Sequence, residues 1–302
     1  MTNFILIAVC IIAGMLFRQS KTLPADAHKG INAFIIYLAL PAVSFKYLPY
    51  IHWTKDLLFP AVGPLVVWLG SWIFIKIYAA KTKQSKFTQG GLTLTAGLSN
   101  TSFVGFPLIT AYFGEKFIGI GVICDQVTFT ILSTLGIFVA ISSSKKQTLK
   151  LSVILKKILR FPPFLGCVAA LVLPRFINIS PINPLVEKLA ACVGPMALFS
   201  IGLQLKFAGW KAEVKHLSAA LLYKLMIAPT LVLLLALALG LKGPVAQITI
   251  FEASMASLLT SGMVADEYNL NPTLSNLVIG IGILISFITT IFWWWLLKHI
   301  YG

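Results

Sequence analysis

Long apolar stretches separated by short polar connections make up most of this chain. Most of them approach the roughly 20 residues that a helix needs to cross a membrane. Ten can be distinguished, and we number them spans 1 to 10: residues 3–18, 30–50, 57–79, 90–113, 117–141, 161–177, 183–205, 216–239, 244–264 and 272–296. The pattern therefore predicts an all-α polytopic membrane protein with ten transmembrane helices.

Span 4 is interrupted by a polar run, Gly97-Leu-Ser-Asn-Thr-Ser-Phe-Val-Gly-Phe-Pro107. Its four consecutive polar side chains point in all directions around a helix, so no rotation of the helix hides them from lipid. The glycines and the proline also weaken the helical hydrogen-bond ladder. We expect two half-helices that meet near the membrane midplane and face a binding site. The alternative is a kinked helix whose polar groups pack against neighbouring helices.

Span 9 carries a similar polar stretch, Glu252-Ala-Ser-Met-Ala-Ser-Leu-Leu-Thr-Ser-Gly262, and spans 2 and 7 contain Leu40-Pro41 and Gly194-Pro195. Single prolines are common in membrane helices, but matching interruptions in the two halves are typical of transporter repeats. With five spans per half, the second repeat enters the membrane inverted. We predict a first five-helix repeat over 1–141, a basic cytoplasmic linker over 142–160 and a second five-helix repeat over 161–302.

Composition and charge narrow the class further. With 58% hydrophobic and 11% charged residues the chain is too apolar for a soluble domain. The net charge of +15 comes from cations in the loops, so nucleic acid is not an expected partner. The positive-inside rule puts most of these cations in the cytoplasm when both termini lie outside a cell (inner) membrane. The N-terminus lacks the basic region of a cleaved signal.

Three ionisable residues fall inside spans: Asp125, Lys224 and Glu252. Each charge at the bilayer centre costs about 2.5–3.5 kcal/mol, so each residue should face protein or water. One interpretation is a structural ion pair of Asp125 with Lys224. The other is ion or proton coupling, because desolvation disfavours the charged forms. Asp125 is the first choice for the proton carrier and Glu252 the second.

The interrupted centres of spans 4 and 9 predict an anion site, because half-helix N-termini can hold a carboxylate. Asn100 is the first choice for a ligand-binding residue, since its amide both donates and accepts hydrogen bonds. Any individual serine could instead bond to its own helix backbone. The predicted substrate-binding residues are Ser99, Asn100, Thr101, Ser102, Pro107, Ser254, Ser257 and Ser261.

The span 4 motif, followed by Ala111-Tyr-Phe-Gly-Glu115, resembles the auxin efflux carrier family of membrane permeases. Bacterial members of that family are often described as malate or other carboxylate permeases. The resemblance implies a fold like that of bile acid sodium symporters and sodium/proton antiporters, with inverted repeats and broken, crossing helices 4 and 9. One departure is Ala256, where the family usually has a proline, and this leaves the break in span 9 open.

The resemblance further implies a scaffold of spans 1, 2, 6 and 7 that carries a dimer surface, and a mobile transport unit of spans 3–5 and 8–10. The predicted function is secondary transport of a small organic anion, with a proton or sodium ion, membrane lipid and a second copy of the chain as partners. A cation/proton antiporter or sodium symporter is the alternative of the same fold.

Two other classes are disfavoured. No His-Glu-x-x-His or aspartate cluster supports an intramembrane enzyme, and no phosphate-binding glycine loop supports ATP-driven transport. The single cysteines of four different spans support neither metal nor disulfide, so no cofactor is expected. A membrane sensor would want a soluble output domain, and none is present in the sequence.

Overall fold

The computed structural model describes residues 2–51, 54–144, 162–205 and 210–301, and these residues form helices without any β-strand. We name the helical segments in chain order: α1 (Thr2–Gln19), α2 (Ala27–Tyr50), α3 (Lys55–Thr82), α4 (Lys86–Gly97), α5 (Thr101–Tyr112), α6 (Glu115–Ser143), α7 (Pro162–Arg175), α8 (Ser180–Gln204), α9 (Trp210–Ala238), α10 (Pro244–Ala253), α11 (Leu259–Glu267) and α12 (Pro272–Tyr301). Most of the predicted linker 142–160 lies outside the described residues.

Many of these helices are apolar enough to lie in a membrane. Within the described residues, seven are long and apolar enough to cross a membrane: α1, α2, α3, α6, α8, α9 and α12. They leave large apolar side chains exposed, such as Ile5 at 62% and Ile288 at 71%. A soluble protein rarely exposes such surfaces widely. The chain is therefore an all-helical polytopic membrane protein.

The predicted interruptions of spans 4 and 9 are present. α4 begins with a cap, in which Ser85 Oγ accepts a hydrogen bond from Thr88 N at 3.2 Å, and it ends at Gly97, after which Leu98 is extended. α10 begins at Pro244, where a proline costs no helical hydrogen bond, and ends at Ala253. The chain is extended again at Leu258, just before α11. Span 9 is thus interrupted although it contains no proline at the break.

Three prolines inside helical segments follow π-helical turns. Such turns occupy Ile35–Ala39, Thr101–Gly105 and Tyr223–Ile227, each ending two residues before a proline: Pro41, Pro107 and Pro229. A proline removes one backbone donor and its ring crowds the carbonyl four residues earlier. A widened turn relieves that crowding. α2 therefore remains helical through Leu40-Pro41, and α8 continues through Pro195 after a turn at Cys192.

By their contacts the described residues divide into two units. The first takes residues from 1–53, 102–122 and 156–205, and the second takes the rest. In the first unit, α1 and α8 touch backbone to backbone, because Gly14 faces Phe199 O and the Cα of Gly202. Arg18 Nη1 donates to Leu205 O at 2.5 Å at the end of the same helix pair. Small residues permit this close approach, as in many membrane helix pairs.

The second unit contains α3, α4, α9 to α12 and the part of α6 from residue 123. Its helices are also closely packed, since a Cβ on Gly63 of α3 would overlap Thr249 of α10. On α4, a Cβ at Gly97 would overlap the ring of Trp68. This packing brings both interrupted helices into one unit and sets the position of the site.

Candidate functional site at the helix crossing

Two extended segments pair with each other where the helices are interrupted. Asn100 N donates to Ala256 O at 2.8 Å, and Leu258 N donates to Leu98 O at 2.9 Å. Ser99 and Ser257 lie opposite each other in this antiparallel bridge. We call residues 98–100 and 256–258 the crossing. Its mutual hydrogen bonds satisfy backbone groups that the interruption of the helices leaves without helical partners.

The two interrupted segments pair although position 256 is an alanine, and the pairing makes a prediction. Leu258→Pro should lower the free energy of unfolding by about 1–3 kcal/mol more than Leu258→Ala, because it also removes the N–H that Leu98 O accepts. The φ of Leu258, −62°, already suits proline, so backbone strain does not confound the comparison. Ala256→Pro should be tolerated, because the crossing uses the carbonyl of Ala256. Thermal unfolding in detergent measures all three, and equal stability of Leu258→Pro and Leu258→Ala would contradict the assigned bond.

Lys224 joins the crossing to the end of α10. Its fully buried Nζ donates to Ser99 Oγ and to Ala253 O, both at 2.8 Å. Ala253 is the last residue of α10, so its carbonyl has no partner within the helix. The C-terminal end of a helix also attracts positive charge. The hydrogen-bond partners of Lys224 are therefore the crossing and a helix terminus.

The turn that carries Lys224 is held from two sides. Tyr223 Oη donates to Val67 O of α3 at 2.7 Å, and Trp293 Nε1 donates to Leu225 O at 2.8 Å. Pro229, four residues after Leu225, has no N–H to offer that carbonyl. We did not identify Tyr223 or Trp293 from the sequence. The position of Pro229 in the sequence indicates that the carbonyl of Leu225 lacks its usual helical donor, and this was the feature from which a donor such as Trp293 could have been predicted.

Asp125 of α6 lies at the start of α5. Its Oδ1 accepts a hydrogen bond from Thr101 Oγ1 at 2.5 Å, and both residues are buried. Thr101 is the first residue of α5, and the N-terminal end of a helix favours a negative charge. The surroundings of Asp125 thus stabilise a carboxylate.

Glu252 lies in the last turn of α10 and is only 1% exposed. Neither carboxyl oxygen has a hydrogen-bond partner among the residues that the structure describes. Its electrostatic neighbours are Asp125 and Lys224. The structure therefore brings together the three ionisable residues that the sequence placed inside spans, as two acids and one base.

The predicted serines of span 9 differ in their hydrogen bonds. Ser254 Oγ donates to Phe251 O and Ser261 Oγ to Leu258 O, both at 2.6 Å, so each uses its hydrogen locally. Ser257 Oγ is buried and has no partner within the described part of the chain. Asn100 is completely buried in the same crossing. Ser257 is thus the best placed of the predicted serines of span 9 to donate to a ligand.

Ser102 and Pro107 belong to the first unit. Both are buried, and Pro107 faces Gly194 of α8, whose Cβ position lies 4.0 Å from its ring. The roles predicted for Ser102 and Pro107 remain predictions from the sequence.

The second unit thus places hydroxyl and amide groups, one ammonium and two carboxyl groups around one buried point. Among the described residues, no group of three or more His, Cys, Asp or Glu is arranged to hold a metal ion. Hydrogen-bond donors next to a lysine can bind a small anion once the nearby negative charge is balanced.

Comparisons with known proteins cover nearly the whole chain. The model of a family described as "Membrane transport protein" matches residues 1–294. The chain is 25% identical over 307 residues to an uncharacterized transporter of Methanocaldococcus jannaschii, covering 98% of both proteins. It is 22% identical over 294 residues to one of Methanothermobacter thermautotrophicus, covering 95% of both. A Rhizobium meliloti protein named "Putative malonate transporter" is 27% identical over 242 residues, 76% of this chain and 74% of that protein.

Proposed function

Because the chain belongs to the membrane transport protein family, the auxin efflux carrier family that its sequence resembles, we propose that it is a secondary transporter of small organic anions such as carboxylates. The name of the Rhizobium meliloti relative supports a carboxylate as substrate. The family and the names of the relatives indicate a transporter rather than an enzyme.

The crossing carries this proposal. Its buried Asn100 and Ser257 can donate hydrogen bonds to a carboxylate, and Lys224 supplies the nearby positive charge. Ser99, Thr101, Ser254 and Ser261 line the same centre mainly as acceptors or supports, because their hydroxyl groups already bond within the protein. Asp125, Glu252 and Lys224 are the proposed ion-coupling residues.

We further propose the architecture that this function requires. Ten spans form two inverted five-helix repeats in the cell (inner) membrane, with both termini outside. Spans 1, 2, 6 and 7 serve as scaffold and homodimer surface, and spans 3–5 and 8–10 move to give alternating access. The interruptions of both span 4 and span 9 support the repeat, because such pairs are typical of transporters built in this way.

Purified protein in proteoliposomes should take up at least one labelled carboxylate from a panel that includes malonate, tested with and without imposed proton and sodium gradients. Asn100→Ala should weaken the apparent affinity about ten- to hundredfold, since a hydrogen bond to a charged group contributes about 1.5–3 kcal/mol. The matched control Asn178→Ala changes an exposed asparagine and should transport normally. Normal uptake by Asn100→Ala would place the anion site elsewhere.

A cation/proton antiporter is the second candidate, and the closeness of Asp125 and Glu252 favours it. The same proteoliposomes distinguish an antiporter from an anion transporter. Movement of sodium or protons without any organic anion would favour the antiporter and overturn the anion transporter.

A further inference from the structure

The charges beside the crossing do not balance for an anion carrier. Asp125 and Glu252 are two buried acids that interact with each other, and Lys224 is a buried base that interacts with Glu252. With all three ionised, the group is net negative and would repel an organic anion. Like charges are strongly unfavourable at such a buried site. One acid must be neutralised before an anion can bind.

Lys224 and Asp125 each have hydrogen-bond partners that suit a charged side chain. The ammonium of Lys224 donates to Ser99 Oγ and to the terminal carbonyl of α10. The carboxylate of Asp125 accepts from Thr101 at the N-terminal end of α5. Each charge thus has hydrogen bonds and the favourable end of a helix. Lys224 and Asp125 are therefore two fixed charges, each held by its own partners.

Glu252 has neither kind of support. It is the penultimate residue of α10, where the helix dipole opposes a negative charge. Both its oxygens lack a hydrogen-bond donor in the described part of the chain. The titratable groups that face it are Asp125 and Cys124 of α6 and Lys224 of α9. Only Lys224 favours its ionised form, and that ammonium is already engaged by two hydrogen bonds.

We propose that Glu252 binds a proton and that an organic anion binds at the crossing only while Glu252 is protonated, which makes the protein a proton–anion symporter. This inference rests on the proposed function and names its coupling partner. Protonation removes the excess negative charge and adds an O–H donor close to the site. The order of the two candidate carriers is thereby reversed from that predicted by the sequence, which put Asp125 first.

Binding of a transported carboxylate to purified protein between pH 6.5 and 8.5 tests the assignment, because a simple carboxylate stays ionised over this range. In the wild type, Kd should rise by up to about tenfold per pH unit, as expected when one proton must bind with each anion. Glu252→Gln should bind with the same Kd at every pH. The control Glu187→Gln, at an exposed position, should keep the wild-type slope.

Two measurements on the wild type need no variant. In weak buffer with a pH indicator, anion binding should take up about one proton per anion. At fixed pH, replacing sodium by choline should leave Kd unchanged. No proton uptake would overturn the proposal, and so would a dependence on sodium in place of pH.

The outcomes separate the two levels of inference. If the wild type neither binds nor transports any organic anion, both the proposed function and the role of Glu252 are overturned. If the wild type transports an anion but the pH slope persists in Glu252→Gln, only the role of Glu252 is overturned. A slope removed by Asp125→Asn and retained in Glu252→Gln would assign the proton to Asp125 instead.

Discussion

Lys224→Met is expected to abolish anion transport and to lower the free energy of unfolding by about 3–5 kcal/mol, the usual cost of breaking a buried charge network. The substitution removes the donor to Ser99 Oγ and Ala253 O. It also removes the positive charge that interacts with Glu252. Thermal unfolding in detergent and uptake in proteoliposomes measure the two effects separately.

The double variant Lys224→Met with Asp125→Asn supplies the control. The second substitution should recover part of the lost stability, because it removes the repulsion between Asp125 and Glu252 that Lys224 no longer offsets, while transport should stay absent. Lys215→Met, at an exposed position of the same helix, should behave like the wild type. Normal stability and normal uptake in Lys224→Met would show that Lys224 does not organise the crossing.

Gly202→Ala is expected to destabilise the first unit by about 3 kcal/mol or more, at or beyond the upper end of the usual overpacking cost. A Cβ at Gly202 would overlap Ile11 O and the Cα of Gly14 on α1. These are backbone atoms, so no side chain can rotate away and the helices must separate. The loss of stability can be measured from the size-exclusion profile and the unfolding temperature in detergent.

Gly30→Ala is the matched control, since Gly30 is also helical but has no atom within 4 Å of its Cβ position. It should be neutral or stabilising by up to about 1 kcal/mol, from the higher helix propensity of alanine. If both glycine variants were equally stable, α1 and α8 would not be in the backbone contact described here.

Hydrophobic patterning was sufficient to locate helices and breaks. Among the described residues, seven of the predicted spans coincide within several residues with helices long enough to cross a membrane, and the helices of spans 4 and 9 are interrupted where polar and small residues cluster. The reason is that a segment in lipid must satisfy its backbone internally. The family predicted from the span 4 motif is confirmed by the match over residues 1–294.

Other features could not be predicted because they depend on contacts between residues far apart in the chain. Sequence alone could not tell that Ser254 and Ser261 bond locally while Ser257 does not. It also paired Lys224 with Asp125 in one interpretation, whereas its hydrogen bonds go to Ser99 and Ala253. Which of several nearby acceptors a long side chain reaches depends on how the helices pack.

By itself, then, the sequence determined that this is a helical membrane protein, its family, and the two places where a transmembrane helix stops. These properties are local, since they follow from about 20 residues at a time and the absence of water in lipid. Only the tertiary structure decided that the two breaks pair with each other, because the paired residues lie far apart in the chain. It also decided that Asp125 and Lys224 each have hydrogen bonds at a helix end while Glu252 has none among the described residues, because such partners come from other helices.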